Sequence, residues 1–92
     1  MNNCRIEFDG NGDAEDDLAR LWTEAPPGKR ERITIAASDA EARLQEDPEA
    51  GSLITNGVHP PVRYLDVDVL RVFHQIFESQ KTIIIIGFRG LS

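Results

Sequence analysis

From Leu70 to Arg89 the chain runs apolar, polar, apolar: Leu70-Arg71-Val72-Phe73-His74-Gln75-Ile76, then Glu78-Ser79-Gln80-Lys81, then Thr82-Ile83-Ile84-Ile85-Ile86-Gly87-Phe88-Arg89. β-Branched and aromatic runs on either side of so short a break predict a β-hairpin, because the connection forces the two runs to lie antiparallel. Near the start, Cys4, Ile6 and Phe8 alternate with Arg5 and Glu7 as in a half-buried strand, which Gly10-Asn11-Gly12-Asp13 ends. Ala14, Leu18, Leu21, Trp22 and Ala25 then share one helical face, which assigns Trp22 to the core. Asp13 is placed to cap that helix, with Glu15, Asp16 and Asp17 near its positive dipole end, and Pro26-Pro27-Gly28 stops it. A second helix fits Lys29 to Gln45, where Ile33, Ala37, Ala40 and Leu44 recur at helical spacing beside Ala36, until Asp47-Pro48.

From Pro48 to Pro61 turn formers (Gly51, Asn56-Gly57, Pro60-Pro61) surround Leu53-Ile54, and predict a surface loop with at most a short edge strand. Arg63 to Val67 reads as a strand with Arg63, Leu65 and Val67 on one face, and Asp68 turns the chain into the hairpin. The order β-α-α-β-β-β predicts an α+β domain: a two-helix antiparallel hairpin packed on a mainly antiparallel, twisted sheet of about four strands.

Ninety-two residues suit a single domain spanning 1–92. One cysteine, Cys4, excludes an internal disulfide and a cysteine-based zinc cluster, and is expected as a small buried hydrophobe. Met1-Asn2-Asn3-Cys4-Arg5 offers no apolar leader, and the longest apolar run, Ile83 to Ile86, is too short to cross a bilayer. The expectation is a cytoplasmic protein with no membrane contact and no cofactor. Net charge is −6, falling as −5 over residues 1–24, −2 over 25–50 and +1 over 51–92. Bulk charge therefore argues against general polyanion binding, while a local site in the last third stays open.

That local site is the arginines of the hairpin. With Phe77 facing Ile83, Gln75 would face Ile85, Phe73 would face Gly87, and Arg71 would face Arg89, all on one side of the sheet. Like charges opposed across strands are destabilising unless an anion lies between them, and guanidinium groups grip phosphate oxygens in pairs at any cellular pH. Arg71 and Arg89 are the candidate catalytic residues, and Arg63 on the adjoining strand is the candidate third corner that binds substrate. The competing reading leaves these arginines at strand ends, solvated or paired with Asp66, Asp68 and Glu78. His74 alternates with Leu70, Val72 and Ile76 and is expected as a hydrogen-bonded core residue on the face opposite Arg71. His59 is expected in a loop. The carboxylates Asp13, Glu15, Asp16 and Asp17 lack the glycine and terminal glutamate of a calcium loop, so no metal is expected.

The succession of these segments resembles the RelE/ParE superfamily of type II toxin–antitoxin toxins, most of all its short plasmid-stabilisation members. The resemblance rests on Asp17-Leu18-Ala19-Arg20-Leu21-Trp22, Leu44…Asp47-Pro48, Gly51, Val62-Arg63-Tyr64-Leu65-Asp66-Val67, Leu70 to Ile76 and Thr82 to Arg89. It implies a compact α+β toxin neutralised by a cognate antitoxin that wraps its surface. Arg71 matches the third-strand arginine, Arg89 the arginine after the last strand, and Arg63 lies near a basic position on the preceding strand. The resemblance further implies either messenger RNA cleavage at the ribosome, with basic side chains positioning the scissile phosphate, or inhibition of DNA gyrase without nuclease chemistry. Two departures bear on that choice: the chain is acidic, and it shows no acid/base group after Arg89. Arginines that never lose their charge transfer protons poorly. A non-catalytic binding module of the same fold therefore stands beside the endoribonuclease reading.

Overall fold

The computed structural model describes residues 4–54 and 57–91; Met1 to Asn3, Thr55, Ser92 and Asn56 of the expected Asn56-Gly57 turn lie outside the described residues. The elements are β1 (Arg5–Phe8), α1 (Asp13–Glu24), α2 (Pro27–Glu46), β2 (Ser52–Ile54), β3 (Val62–Val67), β4 (Leu70–Phe77) and, after a 3₁₀ turn at Glu78–Gln80, β5 (Thr82–Gly90). They form one sheet in the order β1-β5-β4-β3-β2, antiparallel except for the β1–β5 pair. The fifth strand is the short edge segment around Leu53, paired with Arg63.

Capping explains where the helices begin and end. Gly12 enters α1 in the left-handed region (φ 80°), and the Ala14 N–H donates to Asp9 Oδ1 at 3.2 Å. The cap expected of Asp13 is thus supplied by Asp9, because the tight turn places Asp13 inside the first helical turn. At the other end the Arg30 side chain reaches back: Nε donates to the Trp22 carbonyl at 3.0 Å and the Ala25 carbonyl at 3.1 Å, and Nη2 to the Thr23 carbonyl at 3.1 Å. Its guanidinium also lies 4.6 Å from the Trp22 ring centre. Trp22 is consequently held at the surface, 44% exposed, which corrects its assignment to the core. Pro27 occupies the first turn of α2, where its missing N–H costs nothing, so α2 starts two residues before Lys29.

Ile33, Ala36, Ala40 and Leu44 of α2 are buried against the sheet, and the alanines let the helix approach closely. Both helices cover one face, made by Leu65, Val67, Leu70, Val72, Ile83, Ile85 and Phe88. The β3–β4 turn, with Asp68 at φ 50°, is tied to α2 by Arg32, whose Nη2 and Nε meet the Asp68 carboxylate at 2.8 and 3.3 Å. Among the described residues the opposite face carries no helix. Val62, Tyr64, Phe73, Gln75, Phe77, Ile84 and Ile86 lie half-buried on it, and it is there that the arginine pair emerges.

A candidate anion-binding face

Cross-strand register sets which side chains meet on this open face. From the turn, Phe77 pairs with Thr82, Ile76 with Ile83, Gln75 with Ile84 and His74 with Ile85. The register then shifts by one residue: Phe73 pairs with Gly87, Val72 with Phe88 and Arg71 with Arg89. Ile86 is the extra residue of a β-bulge, so Ile86 and Gly87 together oppose Phe73. The expected pairings Phe77–Ile83 and Gln75–Ile85 are therefore corrected, whereas Phe73–Gly87 and Arg71–Arg89 are found as expected. The connection is four residues, 78–81, with Lys81 left-handed at φ 50°; that one-residue shortening and the bulge offset each other.

Arg71 is not free. Its Nε and Nη2 donate to Asp66 Oδ1 and Oδ2 at 2.7 and 2.9 Å, a two-pronged pair across β3 and β4, and its guanidinium carbon lies 4.3 Å from the Tyr64 ring centre. The hydrogen bond from Arg71 holds the Asp66 carboxyl below the usual range, and Asp66 in turn raises the pKa of Arg71. Tyr64 itself leans on Phe73, ring centres 6.5 Å apart. Arg89 is exposed and, among the described residues, engages no carboxylate. The face thus presents two arginines at opposed positions of β4 and β5, with the Arg71 guanidinium turned towards β3 and its charge met by Asp66. This is the pairing that the competing reading foresaw for Arg71, combined with the opposition that the anion reading foresaw.

Arg63 does not join them. Its strand neighbours alternate, and it pairs with His74, which sets it on the helix-covered face while Asp66 and Tyr64 take the open one. It donates through Nη1 to the Glu49 carbonyl at 3.2 Å and borders a cleft of about 450 Å³ with Glu49, Pro61 and Phe77. The third corner is therefore corrected: the alternation that puts Arg63 with Leu65 and Val67 puts Arg71 with Tyr64 and Asp66.

His74 lies in the core as expected, 0% exposed, but among the described residues neither ring nitrogen has a hydrogen-bond partner, which corrects the expected satisfied imidazole. Burial pushes its pKa down to about 4; the nearby Val72 backbone acts the other way, and the Arg63 charge adds a smaller lowering. It faces away from the arginine pair. Among the described residues no cluster of histidine, cysteine and carboxylate side chains could hold a metal ion, and no helix is long and apolar enough to cross a membrane. On the helical side an apolar groove of about 340 Å³ runs between Phe8, Leu18, Trp22 and Ile33.

The feature that sequence reading missed is the bulge. A glycine directly after a run of four isoleucines, inside the strand, is the one local signal for it, since glycine within a strand often marks a bulge or a close approach. No protein-family model and no curated protein matches the sequence. Solved structures do match. The toxin–antitoxin complex RelBE2 of Mycobacterium tuberculosis superposes with a TM-score of 0.75 at 16% identity, covering 98% of this chain and 93% of that one. The chromosomal ParDE toxin–antitoxin system of P. aeruginosa gives 0.68 at 16%, covering 98% of each chain, and the isolated E. coli RelE toxin gives 0.58 at 15%, covering 97% and 85%. Two helices on a mostly antiparallel five-stranded sheet, in this order and along nearly the whole chain, are the fold of the RelE/ParE toxins.

Proposed function

We propose that this protein is the cytoplasmic toxin of a type II toxin–antitoxin pair of the plasmid-stabilisation kind, acting on its target through the helix-free face of the sheet. The observation that carries this reading is the direct opposition of Arg71 and Arg89 on that face, in a chain with the fold of RelE and ParE. Two arginines on neighbouring strands, once Arg71 is released from Asp66, can converge on a phosphate that gains charge during cleavage of an RNA backbone, and that is the catalytic role assigned to them. Arg63, on the far face, is left out of this role. An antitoxin is the expected partner, as in the RelBE2 and ParDE systems, and the groove beside Trp22 gives an apolar segment a surface to cover.

A second reading has its own support. Asp66 offsets one of the two charges, the chain is acidic, and Asp66, the carboxylate nearest the pair, is held in its weakly basic form, so the face suits a protein target such as gyrase better than unaided RNA cleavage. Induced expression without an antitoxin should arrest growth, and Arg71→Ala with Arg89→Ala should relieve the arrest. Message cleavage in a purified translation mixture identifies the nuclease, and loss of supercoiling activity identifies the gyrase inhibitor. Normal growth at high soluble expression of the wild-type chain would refute the toxin reading.

A further inference from the structure

The pairing of Arg71 with Arg89 depends on the extra residue in β5. Continuing the inner register without it, Phe73 would face Ile86, Val72 would face Gly87, Arg71 would face Phe88 and Leu70 would face Arg89. Leu70 is fully buried beneath the helices, so Arg89 would point into the core and Phe88 out to solvent. The bulge reverses both: Phe88 is 6% exposed with its ring 5.8 Å from Phe8, and Arg89 stands on the open face.

A bulge frees backbone groups from the ladder, and something must take them up. Here the Phe88 N–H donates to Asp17 Oδ2 at 3.2 Å, a contact between α1 and β5 across 71 positions of sequence. The other carboxylate oxygen of Asp17 accepts from Arg20 Nη2 at 3.0 Å, an exposed pair one turn along the helix on which the contact to β5 does not depend. Gly87 makes room for it: a Cβ there would lie 3.1 Å from Asp17 Oδ2, tighter than ordinary contact, and 3.9 Å from Phe73 Cδ2. Carboxylate, backbone N–H and absent side chain meet just beyond the bulge, at Gly87 and Phe88.

We infer that Asp17 is a positioning residue for the arginine pair: its carboxylate holds the β5 bulge through the Phe88 N–H, and the bulge sets Arg89 on the same face as Arg71. The functional half of this statement rests on the reading in which the two arginines act together; the structural half does not.

The test is an NMR comparison of the wild-type chain with Asp17→Ala, Asp17→Asn and Arg20→Ala, each first shown to be folded by its melting transition and amide dispersion. Two readouts are taken: cross-strand backbone contacts for Phe73–Gly87 and Arg71–Arg89, and the response of the Arg71 and Arg89 side-chain N–H signals to inorganic sulfate. Asp17→Ala is expected to weaken or lose both cross-strand contacts, to broaden Ile86 to Arg89, and to lose the Arg89 response to sulfate while Arg71 keeps its own. Asp17→Asn retains an acceptor oxygen and should restore the contacts, and Arg20→Ala should leave them in place. Unchanged contacts in Asp17→Ala, or loss of them in Arg20→Ala to the same degree, would overturn the inference. Absence of any sulfate response in the wild-type chain would instead count against the proposed site, with the contacts still deciding the role of Asp17.

Discussion

Replacing His74 by leucine tests what an unpartnered imidazole costs this core. The ring is fully buried, faces Ile85 across the ladder and has no hydrogen-bond partner among the described residues, and burial lowers its pKa to about 4 from an ordinary value near 6.5. Between those two values the unfolded chain binds a proton that the folded chain refuses. Stability on account of this residue is therefore complete above about pH 6.5 and falls as the pH drops towards 4. With those two pKa values the loss between pH 7.5 and pH 5 is about 2 kcal/mol, a large share of the stability of a small domain. Leucine has a similar volume and nothing to titrate, and it also removes the roughly 1–3 kcal/mol cost of burying polar nitrogens unpaired. Urea unfolding at pH 7.5 and pH 5 should show His74→Leu more stable than the wild type at both, with the gap wider by about 2 kcal/mol at the lower pH. Asp66 and Asp68, held low by their arginines, titrate below this window and do not imitate the effect. A gap of equal size at the two pH values would show that His74 takes up its proton inside the fold, and the argument from burial would fail.

Asp66→Asn leaves Arg71 its stack on Tyr64 but removes the carboxylate that competes for its donors, so affinity for inorganic sulfate should rise several-fold, read by calorimetric titration; unchanged affinity would show that Asp66 does not occlude the pair. Arg30→Ala strips the C-terminus of α1 of three carbonyl contacts and Trp22 of its cation, and should cost about 1–2 kcal/mol. Amide exchange should rise in the last turn of α1, and lysine should restore little because it lacks the planar fork. Gly51→Ala places a side chain at φ 93° against the Tyr64 carbonyl and should cost at least about 2 kcal/mol in chemical denaturation, with the loss of β2 pairing visible in exchange at Ser52–Ile54.

Period and punctuation made most of the architecture legible. Helical spacing of Ile33, Ala36, Ala40 and Leu44, the prolines at 26, 27 and 48, and the alternation in β1 and β3 give element order and inward faces with boundaries within about two residues. What stayed hidden depends on pairs of residues far apart in sequence. Trp22 satisfies every criterion for the core until Arg30, eight positions on, is seen to cap the helix through it. Asp9 displaces Asp13 as the cap because the turn at Gly12 sets the distance, which composition does not. The place of Arg63 is legible in the sequence itself, since the alternation that puts Leu65 and Val67 inward removes it from the face of Arg71. The opposition of Arg71 and Arg89 follows from the sequence with an unbroken five-residue connection and from the structure with a four-residue connection plus a bulge, two routes that give the same register beyond Phe73.

That last agreement exposes the physical logic of the hairpin. An unbroken two-residue alternation cannot place Ile83, Ile85 and Phe88 all inward, because 85 and 88 differ by an odd number. Only an added residue between them lets both pack beneath the helices, and the same addition turns Arg89 outward. Core closure and the presentation of the second arginine are thus one structural event. Burial of Phe88 against Phe8 contributes hydrophobic stabilisation to a position that also carries the charge opposed to Arg71, offsetting a repulsion that Asp66 further relieves. An acidic chain can keep two arginines opposed across strands on these terms: one is held by a carboxylate and an aromatic ring, and the other is carried by a bend that core packing favours and the Asp17 carboxylate holds in place.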